Sequence, residues 1–228
     1  MAAPAGSLIP YPAPSGKCRF LQAVKYYCGI RILSTRSATS HRLLLLTARR
    51  LLEERGYHGV GLEALAAEAG MSRQSIYVHF HSKARLVLEL VDYVDESEGV
   101  PTLTNRIETA PSGEEALDLF IDLVARVAPR IFRVVAALDA ARGEDPIAAT
   151  AWRDRADRRQ RRCRNIVRRL ADEGRLRPEL DVTIAADLLW TLASVRVWED
   201  LVVTRRWASD RYRAHMRRTL RSALLSQG

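Results

Sequence analysis

Ser72, Arg73, Gln74 and Ser75 put four polar or basic side chains in consecutive positions. An Arg fork matches guanine O6 and N7, and a Gln amide matches adenine N6 and N7. Each such pair discriminates between bases by about 1–3 kcal/mol. Reading bases this way requires the residues at the exposed N-terminal end of a short helix that fits a DNA groove. Residues 44–83 have the pattern of such a device. An apolar-periodic helix ends in Arg55-Gly56-Tyr57, an Ala-rich helix turns at Ala69-Gly70-Met71, and a short helix ends in Tyr77-Val78-His79-Phe80. Ser72 precedes the last helix and can cap it by accepting the N–H of Gln74 or Ser75. This is helix-turn-helix grammar.

Other chemistry is not legible. His41, His58, His79, His81 and His215 form no metal pair at helical i, i+4 spacing. His79 and His81 could share an ion only if both faced one pocket, which a helix corner disfavours. No glycine-rich phosphate loop, G-x-S-x-G element or paired-carboxylate site occurs. The residues therefore imply no enzyme, no metal and no cofactor. Cys18, Cys28 and Cys163 are odd in number and lack ligand spacing, and read as free thiols in a reducing compartment.

Composition sets the frame. Of 228 residues, 47% are apolar, enough for a sizeable core, and few are Gly or Pro, which favours helix. No apolar run approaches membrane-spanning length. The net charge of +9 suits a nucleic-acid partner, but its distribution does not single out residues 38–97, which carry seven basic and eight acidic side chains. Residues 153–169 contain nine arginines. They read as a solvated helix face laced with pairs such as Asp154–Arg158 and Asp157–Arg161 rather than as a second nucleic-acid patch.

These observations predict an all-α chain of about nine helices. Residues 1–37, with four of the nine prolines and no acid, read as an unstructured tail. Residues 38–97 hold a three-helix reader at about 39–55, 62–69 and 73–79, and a linking helix to about 96 that Ser82 caps. Residues 98–228 hold helices at about 113–127, 130–142, 146–173, 182–205 and 209–225. Pro129 and Pro146 mark helix starts.

The combination Gly56-Tyr57, Ala66-x-x-Ala69-Gly70-Met71-Ser72, Ile76-Tyr77-x-His79-Phe80 and Ser82-Lys83 resembles the N-terminal domain of the tetracycline-repressor (TetR) family of bacterial transcription regulators. One position departs from it: Val60-Gly61 stands where the family usually has Thr or Ser opening the second helix. Gly caps less well, by a few tenths of a kcal/mol. The resemblance implies Tyr77 and Lys83 as phosphate partners, with His79 a weaker one. It implies a homodimer on a palindromic double-stranded operator, through Leu188, Leu192 and Val195 on one helix and Tyr212, Met216 and Leu220 on the next. It implies a small-molecule effector between helices four to eight, where Tyr93, Phe120, Phe132, Trp152 and Trp190 are the large residues available. Each of these could equally be core. The resemblance therefore points to a ligand-responsive cytoplasmic regulator at the nucleoid, most often a repressor. An architectural DNA-binding protein without effector is the alternative, and an enzyme a more remote one.

Overall fold

The computed structural model describes residues 35–57 and 59–226, with side chains from residue 39. The expected tail, with Cys18 and Cys28, lies outside the described residues, as does His58. From Ser40 onward the chain forms one compact unit. The described residues form ten α-helices: α1 (Thr35–Arg55), α2 (Leu62–Ala69), α3 (Arg73–Phe80), α4 (Lys83–Ser97), α5 (Val100–Glu108), α6 (Gly113–Ala141), α7 (Pro146–Asp172), α8 (Val182–Leu192), α9 (Val195–Trp198) and α10 (Ser209–Leu224). Among the described residues, β pairing is limited to a single bridge between Leu176 and Leu225.

The reader assembles on a small apolar centre. Leu44, Ala48, Leu51 and Leu52 of α1 meet Leu65 and Ala66 of α2, Ile76 and Phe80 of α3, and Leu86, Val87 and Leu90 of α4 in one continuous core. This is the 3.6-residue stripe expected of amphipathic helices. Between α2 and α3 the chain must turn within three residues. Gly70 does so at φ 62°, and Met71 N–H closes back onto the Ala66 carbonyl at 3.0 Å. A side chain at Gly70 would be strained in that region of backbone space.

Three departures from the predicted helices have local causes. Residues 113–141 are one helix, although Pro129 was expected to start a second. Pro129 lies on the solvent side, while Val127, Ala128, Ile131 and Val134 are buried and keep the inner stripe in register across it. Tertiary burial here outweighs the roughly 3 kcal/mol that an interior proline costs a helix. Residues 100–108, given no helix from sequence, form α5, with Pro101 in the first turn, where a missing N–H costs nothing. The single helix expected over 182–205 is broken: Ser194 caps α9 by accepting the Val197 N–H, and a π-helical turn, Glu199–Thr204, follows.

Helices α4, α5, α7, α9 and α10 pack on α6, and α8 packs on α7 and α10. The α6 N-terminus touches the end of α7 so closely that a Cβ on Gly113 would lie 2.8 Å from the Leu170 nitrogen. Along its length, Glu114, Asp118 and Asp122 face Arg213, Arg217 and Arg221 of α10 as a ladder of ion pairs, Arg217–Asp122 at 2.7 Å and Arg221–Glu114 at 2.6 Å. These rungs are partly exposed, so each contributes at most about 1 kcal/mol. They set the register of α10, and burial of Tyr212, Met216, Leu220 and Leu224 drives its docking.

That burial corrects one expectation. Tyr212, Met216 and Leu220 were assigned to a subunit interface, but all three are buried within the single chain. The four-residue stripe of α10 faces the chain's own core, so those side chains have no surface to offer a partner.

Candidate nucleic-acid interface

Helix α3 is held at the corner by caps at both of its neighbouring turns. The Ser72 hydroxyl accepts the Ser75 N–H at 3.1 Å, and the Ser82 hydroxyl accepts the Arg85 N–H at 3.1 Å. Ile76 and Phe80 face inward, fully buried. The opposite face carries the expected readers: Ser72, Arg73 and Gln74 are exposed and Ser75 partly so. Tyr77 is 55% exposed and Val78 62%, which is unusual for side chains that large. Sequence reading passed over Val78.

Arg73 does not stand free. Its guanidinium pairs with Glu63, in the first turn of α2. Glu63 was also missed. An acid in a helix's first turn is ordinary, because it complements the helix dipole. Only the turn at Gly70 brings it against Arg73. Gly61, at the position where the family usually has Ser or Thr, makes no side-chain capping bond.

Lys83 opens α4, its ammonium 3.8 Å from the centre of the Tyr57 ring. Partial burial lowers the Lys83 pKa, and Glu144, in the turn between α6 and α7, opposes this. Burial also raises the Tyr57 pKa, with Glu144 and Asp145 adding to it. The acidic α6–α7 turn therefore acts on the corner that would grip phosphate.

His79 sits differently from the other expected phosphate partners. Its Nδ1 lies 3.4 Å from Nδ1 of His41, which in turn pairs with Glu89 of α4 at 2.8 Å. Burial, then the nearby His41, holds the His79 pKa below its ordinary value. A neutral imidazole is a weaker phosphate partner than a cation. Burial raises the Glu89 carboxyl, but hydrogen bonds from His41 and Arg85 outweigh it and leave the pKa below the usual range. The cluster ties α1, α3 and α4 together and fixes the pitch of α3.

The five aromatics expected around an effector differ in their surroundings. Phe120 is fully buried. Tyr93, Phe132, Trp152 and Trp190 are half-buried. Phe132 stacks near Trp198 at 5.3 Å, while arginines lie over Trp152 and Trp190. A cavity of about 370 Å3 opens elsewhere, between α5, α6 and the start of α10, lined by Leu103, Leu119 and Leu123 with Arg106, Arg126 and Arg213 among others. None of the five lines it. Leu188 is exposed, and Leu192 and Val195 are half-buried. No group of His, Cys, Asp and Glu among the described residues could hold a metal ion, and no described helix is long and apolar enough to cross a membrane.

An all-helical chain that presents a capped, outward-facing helix at a tight two-helix corner is a helix-turn-helix protein. The family model for bacterial regulatory proteins of the tetR family matches residues 44–90. FasR, an HTH-type transcriptional activator of Mycolicibacterium smegmatis, is 32% identical over 85 residues, which are 35% of this chain and 39% of that protein. Two solved structures share the fold at 22% identity. A putative transcriptional regulator from Saccharomonospora viridis, in complex with choline, has a TM-score of 0.70, covering 83% of this chain and all of that one. NalD, the secondary repressor of the MexAB-OprM efflux pump of Pseudomonas aeruginosa, has a TM-score of 0.68, with 86% and 100% coverage. Residues 44–90 thus match the DNA-binding domain of the tetR family, the chain spans well under half the length of FasR, and over most of its length it shares the fold of solved transcriptional regulators.

Proposed function

We propose that this chain is a ligand-responsive repressor that binds a palindromic operator as a homodimer in the bacterial cytoplasm and leaves it when a small molecule binds. The observation that carries the reading is the outward face of α3. Ser72, Arg73, Gln74, Tyr77 and Val78 are exposed together on a helix whose other face is locked in the core. Arg73 and Gln74 read base edges; Tyr77 and Lys83 hold phosphates and set the register. For the dimer, the support is a row of exposed apolar residues on α8, Ile184 and Leu188, which costs free energy to leave in water. A second copy related by a twofold axis would cover the row and space two α3 helices for successive major grooves.

The effector acts through α4, which runs from the phosphate-binding corner at Lys83 to the regulatory helices. A ligand releases the operator only to the extent that it binds the DNA-incompetent spacing better. A hundredfold preference supplies about 2.7 kcal/mol of coupling. That a structural neighbour was captured with choline supports a small molecule in this role. The test begins with selection of bound duplexes from a random library by the full chain. An enriched palindrome with half-sites one helical turn apart supports the reading; enrichment of bendable sequence without a motif would make the protein architectural.

A further inference from the structure

The arginine-rich α7 is only half solvated. Arg158 pairs with Asp154 at 3.0 Å on the outer side, as its spacing predicts. Another row, Arg155, Arg159 and Arg162, turns toward α4, α5 and α8. Arg155 is satisfied, with Nη2 3.1 Å from Asp95 of α4. Arg159 is not matched by an acid. Its guanidinium lies 4.4 Å from the centre of the Trp190 ring and donates once, to the Trp190 carbonyl at 2.9 Å. Its Nε is buried without an acceptor. Arg162, a turn further on, has a buried Nε with no acceptor, and it forms no hydrogen bond or ion pair among the described residues. The indole N–H of Trp190 is buried and unpaired as well.

The acids nearby do not close the account. Asp95 is held by Arg155, and Asp187 accepts from Gln160 at 2.6 Å. Cys163, between the two arginines in sequence, is a buried thiol pushed up to about 12, chiefly by burial, so it is neutral. Burial lowers both guanidinium pKa values; Glu108 opposes it at Arg162, and no carboxylate does so at Arg159. Buried donors are nearly always paired, so these three N–H groups, two of them on half-buried arginines whose guanidinium ends still reach solvent, mark a place suited to an acceptor.

We propose that Arg159 and Arg162, beside the Trp190 indole N–H, hold the anionic group of the effector, which is thus an organic acid or phosphate ester. The proposal rests on the ligand-responsive reading above, since it names the chemistry of that ligand. A planar guanidinium fork suits a carboxylate or phosphate in two parallel hydrogen bonds. Trp190 offers the ligand's body a flat apolar wall. The same α7 face reaches α4 through Arg155 and Asp95, so an anion drawn onto Arg159 acts one turn from the linking helix.

The test uses thermal shift and titration calorimetry on the full chain. The probes are hexanoate, decanoate and benzoate, each against its neutral amide, and phenyl phosphate against phenol, with inorganic phosphate alone. The acid arm or the phosphate arm should stabilise the wild type where the neutral partners do not, and the arm that does so names the headgroup. Arg159→Met and Arg162→Met should each weaken that binding at least about tenfold, the loss of a charge-assisted hydrogen bond. Neither should lower the melting temperature of the ligand-free protein, because a half-buried guanidinium whose Nε has no acceptor gives way to an apolar chain of similar length. Equal shifts by acids and amides, or a lower ligand-free melting temperature in both Met variants, would overturn the proposal. If the anion binds through these arginines yet leaves operator affinity unchanged, the anion site stands and the switch fails.

Discussion

Asp92 should make this protein more stable in weak acid than at neutral pH, and Asp92→Asn should remove the difference. Asp92 is half-buried on α4. Its carboxyl is pushed up from 3.8 to about 6, first by burial; Arg158 and Arg155 pull it down, and Asp95 and Glu96 push it further up. Below about pH 4 both folded and unfolded chains carry the proton, and Asp92 is neutral to stability. From about pH 4 to about pH 6 the folded state keeps a proton that the unfolded state has lost, so stability falls as pH rises. Above about pH 6 the full penalty persists. At about 1.4 kcal/mol per pKa unit, the loss has an upper bound of about 3 kcal/mol. For a chain of this size that is up to roughly 6–12 °C in melting temperature. Asparagine mimics the protonated acid. Melts of both proteins from pH 4 to pH 8 should coincide at the acid end and separate above about pH 6, the Asn variant melting higher. Parallel profiles, or an Asn variant less stable at pH 7, would mean that the attraction of Arg158 outweighs burial and would refute the reasoning.

The reader offers two comparisons. Arg73→Ala should relax preference at particular operator positions, whereas Lys83→Ala should weaken all duplexes alike and reduce the salt slope by about one; selection and salt titration separate them, and an exchange of these effects would reverse the assigned roles. Glu63→Gln should raise affinity for random duplex, by removing a carboxylate beside the phosphates, and broaden the selected motif, by freeing Arg73; unchanged affinity and motif would make the pair ornamental. On the regulatory side, Leu188→Asp should dissociate the dimer in sedimentation with the melting temperature of the fold little changed. Tyr212→Ala, emptying a fully buried site, should instead cost about 3–5 kcal/mol of stability, read from denaturant unfolding.

Local signals settled the reader. The Ser72 and Ser82 caps, the turn at Gly70 and the i, i+4 apolar stripes are read within a turn of helix, and each appears in the structure where the residues put it. Helix class and most helix positions followed for the same reason: periodicity reports which face will be buried. It does not report against what. The α10 stripe of Tyr212, Met216 and Leu220 is equally suited to a partner or to its own chain, and only packing against α6 decided for the chain. Pro129 stops a helix by local rules, yet burial on both sides of it carries α6 through. Charge behaves likewise. The arginines of α7 look solvated in sequence, because composition cannot tell which row a third helix will cover. Glu63 and Arg73 are ten residues apart in sequence, and the turn alone makes them partners. What the sequence determines in this protein is what a residue can do with its near neighbours; the tertiary fold decides which arginines of α7 lose part of their water, because desolvation is a property of the whole packed surround.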